Sequence, residues 1–158
     1  MSELEKIAAR VAQKLIARRE LIAVSESSTG GLISAALLAV PGASAFYIGG
    51  AVVYTARARA ALVNIEKADV AGLQSATEPY ALLLARRTRE LLRADWAIAE
   101  TGAAGPTGNR YGDAAGHTVV AISGPVEKAH VLETGSVDRR ANMDAFGIAA
   151  LELLDEAL

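Results

Sequence analysis

Leu21-Ile22-Ala23-Val24-Ser25-Glu26-Ser27-Ser28-Thr29-Gly30-Gly31, followed by Leu32 to Val40 and closed by Pro41-Gly42, is the stretch that decides the fold. Leu21 to Ser25 is a short apolar run, too short for a helix and dense enough for a strand buried on both faces. Hydroxyl and glycine residues then break the run. Leu32 to Val40 reads as a helix that stops before Pro41-Gly42, because proline cannot continue it. Strand, tight turn and helix in that order form the first half of a crossover unit, whose natural home is a parallel sheet with helices on both faces.

The flanking segments repeat the alternation. Residues 3–19 carry Leu4, Ile7, Ala8, Val11, Leu15 and Ile16 at helical spacing. Phe46 to Tyr54 reads as a second strand, and Thr55 to Asn64 as a short helix with Arg57 and Arg59. Residues 66–75 read as loop. Thr77 caps a helix over 78–93, with Glu78 and Pro79 in its first turn. Trp96 to Glu100 is a further buried strand. Gly116 to Ser123 and Val126 to Glu133 form two strands joined at Gly124-Pro125, and Asp138 to Leu158 is a final helix. The hairpin adds one antiparallel member, so the expected fold class is α/β with a mixed, mostly parallel sheet.

Ligands of open α/β sheets sit beyond the C-terminal ends of parallel strands. Two glycine-bearing segments are expected there. Ser27, Ser28, Thr29, Gly30 and Gly31 follow one strand and open a helix, where hydroxyls can act as nucleophiles and free N–H groups near Thr29–Gly31 can hold an oxyanion. The same residues also suit a simple N-cap by Ser28 or Thr29. Thr101, Gly102, Ala103, Ala104, Gly105, Pro106, Thr107 and Gly108 begin a loop of about 13 residues, long for a connection without function. Its backbone N–H groups could form a phosphate-binding nest, or the loop could be plain surface. Tyr54 ends its strand at the same edge, as a participant or as a cover for the sheet end. Arg57 and Arg59 lie just beyond it. His117 and His130 fall in the hairpin strands and read as strand-surface residues, and no metal-ligand spacing is present.

Composition narrows the function classes. The chain has 158 residues, a length that suits one domain. It contains no cysteine, which excludes disulfides, thiolate metal sites and a thiol nucleophile, and fits a cytosolic home. Its net charge of −2 lacks the basic footprint of most nucleic-acid binders. No apolar run reaches the roughly 18–20 residues of a membrane span. Met1 to Arg10 mixes charged and apolar residues, unlike a signal peptide.

Taken together, the motifs resemble the CinA C-terminal domain family. The resemblance rests on Glu26-Ser27-Ser28-Thr29-Gly30-Gly31, Pro41-Gly42-Ala43-Ser44-Ala45, Gly49-Gly50-Ala51-Val52-Val53-Tyr54, Thr101 to Gly108, and Gly116-His117-Thr118-Val119, in that order. It implies one domain over residues 1–158, folded as a three-layer α/β/α sandwich with a mixed five-stranded sheet. It further implies a cofactor-free, metal-free amidohydrolase that converts nicotinamide mononucleotide into nicotinate mononucleotide and ammonia, cytoplasmic and homodimeric.

By the same resemblance the family's nucleophile falls on Ser27 and its active-site tyrosine on Tyr54. Its active-site lysine falls on Arg59, which cannot serve as a base because arginine stays protonated. Arg59 could instead act on Tyr54 or bind the substrate phosphate. Backbone at Thr29–Gly31 would hold the oxyanion, and the Thr101–Pro106 segment with Thr118 would cradle phosphate and ribose. Gly135-Ser136-Val137 stands where the family has Gly-Asp-Arg, with Arg139 and Arg140 displaced from that position. The change at Arg59 leaves a second reading open, a nucleotide-binding paralogue without turnover. An interaction module of the competence machinery is a third.

Overall fold

The computed structural model describes residues 1–158. Its elements run α1 (Glu3–Arg18), β1 (Ile22–Glu26), α2 (Leu32–Leu38), β2 (Tyr47–Val52), α3 (Ala56–Val63), α4 (Glu78–Leu92), β3 (Trp96–Ala103), β4 (His117–Ser123), β5 (Lys128–Glu133) and α5 (Arg139–Ala157). Helix α1 starts where the sequence demands it. The Ser2 hydroxyl accepts from Glu5 N–H while the Glu5 carboxylate accepts from Ser2 N–H, a reciprocal cap. The helix ends at Arg19, whose φ of 54° turns the chain out of the helix.

The five strands form one sheet in the order β2-β1-β3-β4-β5. Strand β1 is parallel to β2 and β3, whereas β4 is antiparallel to both of its neighbours. The mixed sheet expected from the element order is therefore present, with β4 as the single reversed strand. Helices α1, α2 and α5 cover one face, where Ile22, Val24, Ile98, Val120 and Ile122 meet Ile7, Val11, Leu15, Ile33, Leu151 and Leu154. Helix α4 covers the other face, where Ala99, Val119 and Ala121 lie under Ala81, Leu84 and Ala85. The alanine-rich composition has its use here, because small side chains on both surfaces let helix and sheet approach closely.

Several boundaries differ from the sequence reading. Helix α2 stops at Leu38 instead of Val40, because Val40 N–H bonds Leu37 O in a tightened last turn. Strand β2 ends at Val52, and Val53 N–H still reaches Glu26 O, so Tyr54 lies just past the last rung. The segment 66–75 contains a short 3₁₀ turn, Lys67–Val70, closed by the Asp69 carboxylate on Glu66 N–H.

The largest difference is at Thr101–Ala103. The sequence places these residues in a loop, but they continue β3 and pair with Val119, Thr118 and His117 of β4. Glycine misled the reading. At Gly102 a Cβ would stand 2.6 Å from His117 O and 2.7 Å from Thr118 Oγ1, so the glycine permits close strand contact and not a flexible turn.

His117 also corrects an expectation. It is buried, not on the strand surface. Its Nε2 lies 2.9 Å from Ala76 O, just before α4, and its Nδ1 meets the Glu133 carboxylate. His130, in contrast, is exposed. Burial opposes charge on the His117 ring, but the Ala76 carbonyl, Glu133 and nearby Asp113 outweigh it, so the ring titrates above its ordinary value of 6.5. The charged ring can donate from both nitrogens, which suits two oxygen partners.

Two measurements check these contacts. Gly102→Ala is expected to lower stability by about 1–3 kcal/mol through forced strand displacement, read as a lower urea midpoint. For His117 the pKa is higher in the folded than in the unfolded chain, so its stabilisation is full below about pH 6.5 and lost as pH rises through the folded value. The melting temperature of wild type relative to His117→Gln should therefore be highest in mild acid and shrink towards pH 8.

Candidate active site

Strands β2, β1 and β3 run side by side in the same direction. Their C-terminal ends place Tyr54, the Ser27–Gly31 turn and the Ala104–Gly108 loop on one edge of the sheet. The N-terminus of α5 closes that edge from the side, bringing Arg139, Asn142 and Met143.

Two buried carboxyl groups organise the turn. Glu100, on β3, is fully buried, and Glu26, on β1, is 1% exposed. Glu100 Oε1 accepts Ser27 N–H at 3.1 Å and Thr29 N–H at 2.7 Å. Glu100 Oε2 accepts the Ser28 hydroxyl at 2.7 Å. Glu26 accepts N–H groups from Gly31, Ile33 and Ser34 at 2.9–3.1 Å. The Thr29 hydroxyl lies between them, 2.6 Å from Glu26 Oε1 and 2.8 Å from Glu100 Oε1. Burial pushes the Glu100 carboxyl up from its ordinary value, against the Ser28, Thr29 and Ser27 donors that pull it down.

This arrangement changes the expected use of the turn. The N–H groups of Thr29 and Gly31 go to carboxyl oxygens, and Gly30 N–H goes to Ser27 O at 3.1 Å. They are occupied within the protein, so the oxyanion site expected at Thr29–Gly31 is not free there. Ser28 and Thr29 are buried and hold the turn to its floor. Ser27 differs from both. It is half-buried, and its hydroxyl takes no hydrogen-bond partner from the protein, while its own N–H is fixed on Glu100. Gly30 is exposed at φ 65°, with Met143 Cε 3.3 Å from where its Cβ would be.

Tyr54 is 60% exposed, and its hydroxyl oxygen accepts from Arg139 Nη2 at 3.2 Å. The other terminal nitrogen of Arg139 donates to Gly105 O. Arg139 thus ties the end of β2 to the loop after β3. Arg59 lies elsewhere. It is buried on α3, donates from Nη1 to the Tyr80 hydroxyl at 3.0 Å, and stacks 5.8 Å from the Tyr80 ring centre. Its Nε reaches Ile65 O at 3.4 Å. The cation beside Tyr54 is therefore Arg139.

The loop after β3 is held rigidly at its start. Ala104 O accepts from Asn142 Nδ2 at 2.8 Å, and Ala103 O from Gly116 N–H at 2.8 Å. Gly105 has φ 107°, and a Cβ there would stand 2.9 Å from Val137 O. Within Thr101–Gly108, Thr101, Ala103, Ala104 and Gly105 are buried, and Pro106, Thr107 and Gly108 are exposed. Thr118 is fully buried behind β3, its hydroxyl donating to Thr101 O at 3.1 Å and lying 3.4 Å from Glu100 Oε2. Tyr111, farther along the loop, titrates below the ordinary phenol value because Arg110 donates to its oxygen, with Arg59 adding positive field.

Three residues of this site had no role in the sequence reading. Glu100 ends an apolar run, and an ionisable residue in a buried strand is the signal that could have marked it. Arg139 is one of two adjacent arginines on the α5 cap, and only the tertiary arrangement picks it out. Asn142 is one turn farther along and reaches the loop by packing alone. Ser27 is half-buried and Tyr54 exposed, so this edge of the sheet faces solvent. No group of three His, Asp or Glu side chains stands together in a way that could hold a metal ion, and no helix is long and apolar enough to cross a membrane.

Comparison with known proteins places the fold. A family model described as the CinA C-terminal domain matches residues 4–158. A CinA-like protein of Anaeromyxobacter sp. (strain Fw109-5) is 36% identical over 154 residues, which is 98% of this chain and 38% of that protein. Another, from Prochlorococcus marinus (strain MIT 9313), is 36% identical over 124 residues, covering 78% of this chain and 29% of that one. The chain thus spans 29–38% of the length of these curated relatives. Among solved structures, a competence-damaged (CinA) superfamily protein from Klebsiella pneumoniae 700603 superposes with a TM-score of 0.90 at 28% identity, covering 97% of this chain and 96% of that one. One from Escherichia coli gives 0.91 at 27% identity, covering 98% and 90%. Sequence motifs, strand order and overall superposition converge, and the chain belongs to the CinA C-terminal domain family.

Proposed function

We propose that this protein hydrolyses the carboxamide of a pyridine mononucleotide, releasing ammonia and leaving the carboxylate, with nicotinamide mononucleotide as the substrate. One observation carries the reading. Ser27 is the hydroxyl of the turn left without a protein partner, and it stands on a backbone fixed from beneath, at the same sheet edge as Tyr54 and Arg139.

Ser27 Oγ attacks the carboxamide carbon, and its proton passes to the Tyr54 oxygen. In this reading the Tyr54 oxygen takes the proton as a phenolate, with Arg139 donating a hydrogen bond into it. Tyr54 then returns the proton to the departing nitrogen, which leaves as ammonia. Water attacks the acyl-serine ester, and Ser27 recovers its proton as the carboxylate product forms. Arg139 also offers a cation to the substrate phosphate, beside the exposed Pro106–Gly108 tip. Arg59, bound to Tyr80, acts as a fixed positive charge behind the α3–α4 side.

The experiment is a steady-state measurement of ammonia release from nicotinamide mononucleotide. Ser27→Ala should lose about 10³-fold or more in kcat with its melting temperature preserved. Release at the wild-type rate from that variant would remove Ser27 from the chemistry. Arg139→Ala should raise KM and lower kcat together, by about 10-fold to 100-fold in kcat/KM, the range of a lost charge-assisted hydrogen bond. Calorimetric binding of the mononucleotide without any ammonia would instead support the nucleotide-binding paralogue, a reading favoured by the fixed, permanently protonated Arg59. Arg59→Lys should then be assayed for gained turnover.

A further inference from the structure

The contacts around Thr29 do not balance if both neighbouring carboxyl groups are ionised. The Thr29 hydroxyl carries one proton and lies within 2.6 Å of Glu26 Oε1 and 2.8 Å of Glu100 Oε1. It can donate to only one of them. The other contact would then set an unprotonated hydroxyl oxygen against a carboxylate oxygen at hydrogen-bond distance, inside the protein, where such repulsion is least screened. Two like charges joined through one hydroxyl add their own cost, and such pairs shed it by holding a proton.

Neither carboxyl group has another way to neutralise its charge. No lysine, arginine or histidine forms an ion pair with Glu26 or Glu100. The groups that face the pair are uncharged: Ser27, Ser28 and Thr29 from the turn, Thr118 from β4, and the Ile33 and Ser34 N–H groups from α2. Tyr47, on β2, is a titratable group near Glu26; burial, with the Glu26 charge adding to it, raises its phenol above the ordinary value. Glu26 receives three backbone N–H groups, from Gly31, Ile33 and Ser34.

We propose that Glu26 and Glu100 hold one proton between them across the Thr29 hydroxyl, carried on Glu100, and that Glu100 in this neutral form is the positioning residue of the Ser27–Thr29 turn. The proposal rests on the deamidase reading only for its catalytic consequence. A neutral Glu100 leaves one buried negative charge, not two, beneath a serine whose attack generates an oxyanion on a substrate that already carries a phosphate. Loss of the proton would both repel that charge and break the hydroxyl bridge that shapes the turn.

The sign of the pH dependence follows from burial. Glu100 titrates above its ordinary value of 4.5 in the folded chain. Its contribution to stability is therefore complete below that value and is lost as pH rises through the folded one. Glu100→Gln mimics the neutral acid and cannot ionise, so its melting temperature should gain on wild type as pH is raised from 5 to 9.

Infrared spectroscopy of the full chain reads the proton directly. At neutral pH wild type should show the C=O stretch of a protonated carboxyl group, and Glu100→Gln should lack it. Thr29→Val should shift that band to higher frequency, and Thr29→Ser should leave it in place. Absence of the band in wild type at neutral pH would overturn the proposal, as would its survival in Glu100→Gln. Wild type and the Thr29 variants decide the matter even if Glu100→Gln does not fold. For ammonia release, the alkaline fall in wild-type kcat should share the midpoint of the infrared band, and a fall that leaves the band intact counts against the positioning role. A protein that shows the band but releases no ammonia keeps the carboxyl pair and loses the deamidase reading.

Discussion

The whole sheet edge that carries Ser27 and Tyr54 depends on one constraint: a fully buried carboxyl group, Glu100, must find donors within the protein. Burying such a group without partners would cost several kcal/mol. Strand β3 carries it into the interior, and the turn after β1 supplies Ser27 N–H, Thr29 N–H and the Ser28 hydroxyl. Satisfying Glu100 therefore dictates how the chain leaves β1. Once Ser28 and Thr29 point inwards to it, Ser27 is the hydroxyl left facing outwards. Glu26 completes the floor by collecting the N–H groups at the start of α2.

Close approach is the second theme, and it explains where glycine and alanine occur. Gly102 lies where β3 and β4 come too near for any side chain, and Gly105 lets the loop backbone reach the Val137 carbonyl. Alanines fill the surface between α4 and the sheet. The site is thus made of backbone and small residues locked against each other, which keeps the geometry of a serine and a tyrosine fixed without large side chains around them. Arg139 gives the edge its positive charge by joining Tyr54 to Gly105.

Family membership rests on the family-model match over residues 4–158, the identity to CinA-like proteins and the superposition on CinA superfamily structures. In this chain the cation beside Tyr54 is Arg139, the first residue of α5. Arg59, which occupies the position of the family lysine by resemblance, has moved its charge to Tyr80. An arginine at that position is accommodated because Tyr80 and the Ile65 carbonyl provide acceptors that suit a planar guanidinium.

The sequence by itself determined the alternation of helices and strands, the reversed hairpin strand and the sheet edge that gathers Ser27 and Tyr54. Those features follow from short-range periodicity, caps and chain breakers, which each segment carries within itself. It also singled out Ser27 and Tyr54, through motifs that are contiguous in the chain. It could not separate Gly102 as a strand residue from Gly102 as a loop residue, because close strand contact and turn flexibility call for the same amino acid. Nor could it reveal that Glu100 sits beneath Ser27, 73 residues earlier in the chain, or that Arg139 and not Arg59 reaches Tyr54. Only the tertiary structure decided these points, since burial of a carboxyl group and the reach of an arginine are settled by which distant segments pack together.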